Sequence, residues 1–407
     1  MKILLIIDDY LPSSEKVSPK MMHELACEYI KQGHQVSVIT PNSDINTGVD
    51  VLKIDGVMIY RYKSGGVKNV PRLTRAINET LLSYYAWKYL KTTFKKEKYD
   101  VIIYISPSIF FGPLVYKLKK LWSAKSYLVL RDFFPQWVID NGLLKKHSLI
   151  TYYFKLFERI NYFAADAIGV MSFNNLEWFG KYYRKNKYLE ILYNWSDTKP
   201  VINCTSEKHR KSLGLNGKVV YFYGGNMGHA QDMMNLVRLA NYMSKKTEAH
   251  FVFVGNGDEV NLVKSAILQY GLKNITLLPS VNQEVYKEML LEFDIGLITL
   301  HKSHQTHNFP GKILGYMANK MPILGSVNPG NDLKDVIEDF NAGYICTNGE
   351  DDLLARKAEK LLDKDCRTCI GLNARKLLTD KFSVNQASIQ ILEKFNRPSK
   401  ANSKFAE

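Results

Sequence analysis

The sequence predicts an α/β fold with two doubly wound parallel sheets. Short apolar runs recur in both halves of the chain, and patterns with helical periodicity separate them. At the start of the chain a strand, loop, helix, turn and strand follow one another, which is the opening order of such a sheet. The length of 407 residues is sufficient for two sizeable cores. We therefore expect two domains.

The first domain is predicted to span residues 1–195. Residues 2–7 form a buried first strand, and a helix from about Ser18 leads to a second strand at residues 36–40. Further strands are expected at residues 101–105, 127–130 and 167–171, and further helices at about 75–97, 113–122 and 149–163.

The second domain is predicted to span residues 218–383, after a polar linker at residues 196–217. Its strands are expected at residues 219–223, 251–254, 275–278, 295–299, 323–324 and 344–346, and its last helices at about 350–362 and 367–380. A crossover helix at residues 384–394 and a disordered tail at residues 395–407 complete the prediction.

The loop after the strand at residues 219–223 has the composition of an anion-binding loop. Gly225 and Gly228 allow the backbone to approach a ligand closely, and Asn226 lies between them. The helix that opens near Gln231 would direct its positive end and its free backbone N–H groups at the same point. These features predict a phosphate site, although an ordinary strand-to-helix turn has the same pattern.

A second segment of this character begins at Asn308. Pro310 and Gly311 are typical of a helix start, and Lys312 follows where a fixed cation could neutralise a diphosphate. We therefore assign Asn308, Pro310 and Gly311 to nucleotide-sugar binding and Lys312 to catalysis. Because the two segments occur together, a nucleotide-sugar site is the favoured interpretation of both.

This segment resembles the hallmark of the retaining GT-B glycosyltransferases of family 4, approximately Pro-Ser-Lys-x-x-Glu-Tyr-Met-Ala-x-Gly-x-Pro. The matching residues are Pro310, Lys312, Tyr316, Met317, Ala318 and Pro322. The resemblance implies two Rossmann-like domains that face a cleft. It also implies a UDP-sugar as the donor substrate, transfer with retention, and no metal or other cofactor.

The chain departs from the family pattern at two positions. Family members usually carry two glutamates eight residues apart, and the second grips the ribose hydroxyls; this chain has His307 and Gly315 there. Glycine has no side chain that could accept these hydrogen bonds. Either another residue, such as Asn308 or Asp335, takes this role, or the site has lost its affinity for nucleotide.

In the first domain, Arg131 and Asp132 are the candidate catalytic residues, because their strand would end at the ligand-binding edge of the sheet. Many family members have a histidine in place of Arg131. The Arg-Asp-x-x-Pro pattern resembles a subgroup that acts on N-acetylated and 6-deoxy amino sugars. This implies transfer of N-acetyl-L-fucosamine to a polyprenyl-diphosphate-linked sugar in O-antigen synthesis. A structural ion pair is the alternative for the two residues.

The resemblance also implies a mechanism. The departing diphosphate would act as the base for the acceptor hydroxyl, while Lys312 and the loop at residues 225–229 stabilise its charge. His229, the fourth catalytic candidate, would donate a hydrogen bond to a phosphate or to the donor sugar. A surface histidine at a helix start is the alternative for His229.

The chain is basic, with 55 Lys and Arg against 40 Asp and Glu and a net charge of +15, and its first half holds most of the excess. Four clusters in that half mix cations with aromatic residues, at residues 61–98, 116–122, 145–155 and 178–185, and their key members are Lys88, Lys91, Lys95, Lys119, Lys120 and Trp122. We predict that they contact the anionic inner face of the cytoplasmic membrane and the acceptor. A solvated basic face is the alternative. We find no nucleic-acid-binding motif.

Composition also bears on other classes of protein. No stretch is long and apolar enough to span a membrane and the first residues are not a signal peptide, so we expect a cytoplasmic protein. Five cysteines fit a reducing compartment, and the single CxxC at residues 366–369 has no second pair, so we expect no metal. The first strand lacks the Gly-x-Gly turn of a dinucleotide oxidoreductase. A nucleotide-sugar 2-epimerase and a non-catalytic partner protein remain open.

Overall fold

The structure is a computed structural model that describes residues 1–14, 16–67, 70–140, 142–183, 188–198, 207–303 and 309–396. Its internal contacts divide the chain into two compact units. The first unit comprises Met1–Tyr193 and the chain from Val384, and the second comprises Asn194–Ser383. Each unit is built on a parallel sheet with Rossmann-like connections, which confirms the predicted fold class.

The described residues of the first unit form an eight-stranded sheet in the order β3-β4-β2-β1-β5-β6-β7-β8. The strands are β1 (Lys2–Ile6), β2 (Gln35–Asn42), β3 (Val49–Ile54), β4 (Val57–Lys63), β5 (Val101–Ile105), β6 (Lys125–Val129), β7 (Ala167–Val170) and β8 (Tyr188–Ile191). The helices are α1 (Val17–Lys31), α2 (Arg72–Thr80), α3 (Leu82–Lys96), α4 (Gly112–Trp122), α5 (Gln136–Asp140), α6 (Leu149–Ala164) and α7 (Phe173–Tyr182). Every residue of β5 is buried, as expected for a central parallel strand.

The edge strand β3 and its neighbour β4 form an antiparallel hairpin that the sequence analysis did not identify. Asp55 (φ +48°) and Gly56 (φ +84°) make its two-residue turn. Positive φ at both positions is typical of the type I′ turn, and Asp-Gly is one of its preferred sequences. The hairpin adds an antiparallel edge to a sheet whose other described pairs are parallel.

The described residues of the second unit form a six-stranded parallel sheet in the order β11-β10-β9-β12-β13-β14. The strands are β9 (Val219–Gly224), β10 (Ala249–Val254), β11 (Ile275–Leu278), β12 (Ile295–Thr299), β13 (Ile323–Val327) and β14 (Gly343–Thr347). The helices are α8 (Lys208–Ser212), α9 (Met233–Tyr242), α10 (Val260–Gln269), α11 (Gln283–Glu292), α12 (Lys312–Ala318), α13 (Leu333–Asp339), α14 (Asp351–Lys360) and α15 (Lys364–Lys381). On α9, the apolar residues Met233, Leu236, Val237 and Ala240 are buried on one face.

Two predicted boundaries need correction. Helix α8 lies inside the predicted linker, but it packs on α11 through a 2.9 Å hydrogen bond between His209 and Glu288, so it is part of the second unit. A last helix, α16 (Val384–Asn396), packs on α1 in the first unit and covers the first two residues of the predicted tail. Residues 397–407 of that tail lie outside the described residues.

Within the described part of the chain, none of the helices combines the length and the apolar character needed to cross a membrane.

Candidate functional site

The glycine loop, residues 224–228, follows β9 at the carboxyl edge of the second sheet. Gly225 has φ +131°, a conformation that favours glycine. Gly255 and Gly257 follow the neighbouring strand β10, and a Cβ atom on either one would overlap a backbone oxygen of the glycine loop. Glycines at these positions therefore allow the two loops to pack backbone against backbone.

Three backbone donors of the glycine loop are already engaged. The Gly225 N–H donates to the last residue of β10 at 2.9 Å, and the Met227 N–H donates to Asn256 at 2.8 Å. The Gly228 N–H donates to the side chain of Gln231 at 3.2 Å. The expectation of free N–H groups is wrong for these three, because the adjacent backbone and Gln231 satisfy them. An anion at this edge would need another donor.

Lys312, the first residue of α12, brings a cation to this loop. Its Nζ lies 3.4 Å from the centroid of the Tyr223 ring and 3.5 Å from the point where a side chain on Gly225 would begin. Burial lowers the pKa of Lys312 to about 7. In the part of the chain that the structure describes, no carboxylate pairs with this ammonium group. An arriving anion would therefore stabilise its charged form.

One buried tyrosine lies under the lysine, and a second anchors α12, the helix on which the lysine lies. The Tyr223 hydroxyl donates to a backbone oxygen of the glycine loop at 2.5 Å, which fixes the ring under the ammonium group. The Tyr316 hydroxyl donates to Leu297 at 3.1 Å, and Gly296 leaves room for the Tyr316 ring where a Cβ would overlap it. Burial raises the pKa of both phenols, so both stay neutral donors. The cation is thus preorganised.

His229 lies on the solvent side of the same edge, with 83% of its side chain exposed. Its Nδ1 is 3.3 Å from the carboxylate of Glu259. Glu259 is buried and accepts the Met233 N–H at 2.7 Å, at the start of α9. Sequence reasoning missed Glu259. The signal was an acidic residue two positions after the Gly255-x-Gly257 turn, where a carboxylate can satisfy the start of the neighbouring helix α9.

The remaining nucleotide-site candidates differ in position. The side chain of Asn226 donates to Gln231 at 2.8 Å, so it orders the loop itself. Pro310 and Gly311 directly precede α12, and open space surrounds the point where a Cβ on Gly311 would lie. Asn308, with its neighbour His307, lies outside the described residues.

Gly315 lies midway along α12, on the side of that helix that faces α11. A Cβ atom there would lie 3.1 Å from the Leu290 side chain, so a larger residue would have to displace a buried leucine. Asp335, the suggested substitute for the missing carboxylate, is exposed on α13. The structure leaves the ribose-binding role unassigned.

In the first unit, Arg131 follows β6 and binds backbone. Its guanidinium donates to Leu192 at 2.5 Å and to Tyr193 at 3.1 Å, in the segment after β8. Burial lowers its pKa to about 9. These bonds position the end of β8, and a direct role in catalysis stays a prediction.

Asp132 lies beside Arg131 at the carboxyl edge of the first sheet, together with Asp8. Burial raises the pKa of Asp132 to about 6, and the N–H of Phe133 opposes part of this shift. Asp8 follows β1, and burial also raises its pKa to about 6. Because β5 lies between β1 and β6, the strands that lead to the two carboxyls are about 10 Å apart in the sheet. Sequence reasoning did not assign Asp8 to a site.

The predicted membrane residues divide into two groups. Lys88, Lys91, Lys95 and Lys120 are exposed on α3 and α4. Trp122 is only 3% exposed and donates to the backbone of α3 at 2.8 Å, because its indole fills the core under α4. Lys119 pairs with Asp166 at 2.7 Å. The prediction is therefore wrong for Trp122, and Lys119 is not a free cation.

Comparison with known proteins finds similarity to one family over part of the chain and to one fold over nearly all of it. Residues 205–377 match the family model described as "Glycosyl transferases group 1". WbjE of Pseudomonas aeruginosa, named as a probable glycosyltransferase, is 24% identical over 72% of this chain and 74% of its own length. WcaI of Escherichia coli K12, assigned to colanic acid biosynthesis as a glycosyl transferase, is 22% identical over 63% of this chain and 64% of its own length.

Two solved structures share the fold over nearly the whole chain. Sucrose-phosphate synthase from Thermosynechococcus elongatus has a TM-score of 0.71 at 15% identity, covering 97% of this chain and 98% of its own. Anabaena HepE, solved with UDP and glucose, has a TM-score of 0.67 at 14% identity, covering 97% and 99%. Together these comparisons show that the chain has the GT-B fold and that residues 205–377 are similar to the group 1 glycosyltransferases.

Proposed function

We propose that this chain transfers a sugar from a UDP-sugar to a carbohydrate acceptor in the synthesis of a surface polysaccharide. The observation that carries the proposal is the preorganised cation of Lys312 beside the glycine loop. The family match supports sugar transfer, and the name of WcaI supports a surface polysaccharide. The similarity to HepE, which was solved in complex with UDP and glucose, supports the UDP-sugar donor.

Lys312 would act on the leaving group. Negative charge grows on the β-phosphate as the bond to the sugar breaks, and a fixed cation stabilises that charge more than the ground state. The uncharged surroundings strengthen this interaction, because few mobile dipoles screen it. Lys312 would also bind the phosphate in place of the N–H groups of Gly225, Met227 and Gly228, because those groups already donate hydrogen bonds within the protein. Retention and independence from metal ions follow the family and are part of the proposal.

The sugar is the finer part of the proposal. The Arg-Asp-x-x-Pro pattern at residues 131–135 favours an N-acetylated 6-deoxy amino sugar, N-acetyl-L-fucosamine, as the transferred group. A polyprenyl-diphosphate-linked sugar is the proposed acceptor. The carboxyls of Asp8 and Asp132 are suited to bind a neutral sugar, because each can accept or donate a hydrogen bond near pH 6.

Calorimetry with UDP, UDP-N-acetylglucosamine and UDP-N-acetyl-L-fucosamine tests the proposal. We expect Lys312→Ala to weaken binding at least tenfold, about 1.4 kcal/mol. Lys287→Ala is the matched control, because Lys287 is an exposed lysine on α11 of the same unit. Absence of binding to every nucleotide would favour the partner-protein alternative. Turnover of the donor without any acceptor, to a sugar epimeric at C2, would favour the epimerase.

Contact with a membrane belongs to the same proposal and rests on one surface. We call it the α4–α6 apolar surface. Its exposed members are Tyr116, Leu121, Leu149, Tyr152, Leu156 and Phe163. The rings of Tyr116 and Phe163 lie 5.9 Å apart, which joins the two helices. Lys120 contacts the Tyr116 ring, with its Nζ 4.6 Å from the centroid, and supplies a cation. Apolar groups beside cations are typical of a surface that binds an anionic bilayer.

Co-sedimentation with vesicles tests this contact. We expect binding to vesicles that contain phosphatidylglycerol, weaker binding to pure phosphatidylcholine, and loss of binding in Leu149→Glu with Leu156→Glu. Leu149 is 89% exposed, so the charge costs the fold little. Leu268→Glu is the control, because Leu268 is 82% exposed in the second unit. If the Leu149→Glu, Leu156→Glu double variant bound vesicles as well as the Leu268→Glu control, the membrane contact would lie outside the α4–α6 apolar surface.

A further inference from the structure

A second group of polar side chains lies in the first unit, outside the candidate site. His23 and Cys27 are four residues apart on α1, so they share one face of the helix. Asp55, in the turn of the β3–β4 hairpin, approaches the same face. The turn is held there because Gly56 packs beside Ile30, with only 3.4 Å between the Ile30 side chain and the point where a Cβ on Gly56 would lie.

The three side chains present three different ligand atoms to one point. His23 Nε2 lies 3.0 Å from the Asp55 carboxylate and 3.5 Å from Cys27 Sγ. All three ligand atoms lie within 4.8 Å of one another. Tetrahedral zinc, with bonds of about 2.0–2.3 Å, separates its ligand atoms by about 3.3–3.8 Å. The two distances from His23 Nε2 lie within a few tenths of an ångström of these values, and the Cys27–Asp55 pair needs to close by at most about 1.5 Å.

Tyr10 supplies the outer partner that a zinc-binding histidine needs. Its hydroxyl lies 2.9 Å from His23 Nδ1, and its ring packs edge-on against the imidazole. If Nδ1–H donates to this hydroxyl, the lone pair of Nε2 faces the cysteine and the carboxylate. The histidine is thus oriented from the buried side.

We propose that His23 Nε2, Cys27 Sγ and the Asp55 carboxylate bind one Zn²⁺ ion, with a fourth position open to water. Thiolate, imidazole and carboxylate are the ligands that zinc takes in proteins. The Asp55 side chain is 72% exposed, which gives the ion a path from solvent. The ion would join α1 to the β3–β4 turn and so stabilise the first unit. The sequence predicted no metal from its single CxxC; His23, Cys27 and Asp55 are 4 and 28 positions apart along the chain and form no short motif.

This zinc site does not depend on the proposed function. The donor site lies in the second unit, and sugar transfer there needs no ion at His23. The alternative is a chain of hydrogen bonds, in which His23 joins Tyr10 to Asp55 without a metal. The two interpretations differ in what the thiol of Cys27 does, and that difference can be measured.

Cobalt titration of chelator-treated full-length protein tests the proposal. We expect one equivalent of Co²⁺ to give the visible bands of a tetrahedral site and a near-ultraviolet thiolate-to-cobalt band, which one equivalent of Zn²⁺ displaces. Cys27→Ser should remove the thiolate band. Asp55→Asn should weaken metal binding at least tenfold, about 1.4 kcal/mol. Asn tolerates the positive φ of this turn, so the variant keeps the fold.

The CxxC at Cys366 and Cys369 provides the control. Both residues lie on α15 in the second unit, away from the proposed site. The double variant Cys366→Ser with Cys369→Ser should keep the thiolate band and the rise in melting temperature that Zn²⁺ causes. Loss of the band in this variant, its persistence in Cys27→Ser, or its absence in the wild type would overturn the proposal.

Discussion

The carboxyl edges of the two sheets have the same architecture and opposite electrostatics. At the second edge, Lys312 is a cation without a carboxylate partner among the described residues, and burial lowers its pKa to about 7. At the first edge, burial raises the pKa of both Asp8 and Asp132 to about 6. One edge is suited to an anionic diphosphate, and the other to a neutral molecule with hydroxyl groups. The fold provides the edge, and the residues at the strand ends select the ligand.

The electrostatic difference between the two edges is tested most strongly by removing the ammonium group of Lys312. We expect Lys312→Ala to lower the rate of UDP release from a UDP-sugar by about 10²–10³-fold, the usual cost of losing one group that stabilises a transition-state charge. The Lys312→Ala variant should keep the melting temperature of the wild type. The substitution removes a buried charge without a carboxylate partner, and burying such a charge costs free energy. Lys287→Ala, measured beside it, should keep its activity. A loss of less than tenfold in Lys312→Ala would mean that other groups neutralise the diphosphate.

The first edge can be tested through stability. The raised pKa of Asp132 means that the unfolded chain loses this proton between about pH 4 and 6, while the folded chain retains it. Stability therefore falls as the pH rises through that window, and the full cost is present above it. We expect Asp132→Asn to raise the free energy of unfolding by up to about 3 kcal/mol near pH 8 and to change it little near pH 4.

Urea unfolding at the two pH values measures this effect. Asp380→Asn is the matched control, because Asp380 is an exposed aspartate on α15. A gain that is equal at both pH values would come from packing or hydrogen bonding. The carboxyl of Asp132 would then not be the protonatable group that the comparison assumes.

The second edge can also be tested by pH. A bound diphosphate should raise the pKa of Lys312 from about 7, so binding takes up a proton at higher pH. The affinity for UDP should therefore fall as the pH rises above about 7, by at most tenfold per unit. Calorimetry near pH 8 in buffers of different ionisation enthalpy measures the uptake. The Lys312→Ala variant should take up no proton at this site when UDP binds. Equal proton uptake by the variant and the wild type would mean that another group takes up the proton.

The sequence was sufficient to predict most parallel strands. The predicted strands at residues 101–105 and 295–299 coincide with β5 and β12, because a buried parallel strand is a continuous apolar run. The β3–β4 hairpin was missed although Asp55-Gly56 is a strong turn signal. Its strands, at the edge of the sheet, contain exposed residues and charges, so they lack such a run.

The site was less predictable than the fold. Lys312 was found from its motif, but burial sets its pKa, and the Tyr223 ring beneath its ammonium group comes from β9, which is distant in the sequence. The engaged N–H groups of the glycine loop depend on the backbone after β10, so no local pattern could reveal them. Trp122 looked like an interfacial residue because its neighbours are lysines. Its position in the core follows from how α4 packs on α3.

His229 offers the smallest expected effect, because it is the exposed counterpart of the buried Lys312. With 83% of its side chain in solvent, its contact with Glu259 resembles a surface ion pair, which contributes about 0–1 kcal/mol. We expect His229→Ala to change the free energy of unfolding by less than about 0.5 kcal/mol and to leave UDP release within about threefold of the wild type. Glu259→Gln should cost more stability, because Glu259 is buried and accepts the Met233 N–H. A loss of activity above tenfold in His229→Ala at unchanged stability would instead show that the imidazole contacts the substrate, and the second edge would then hold two active groups.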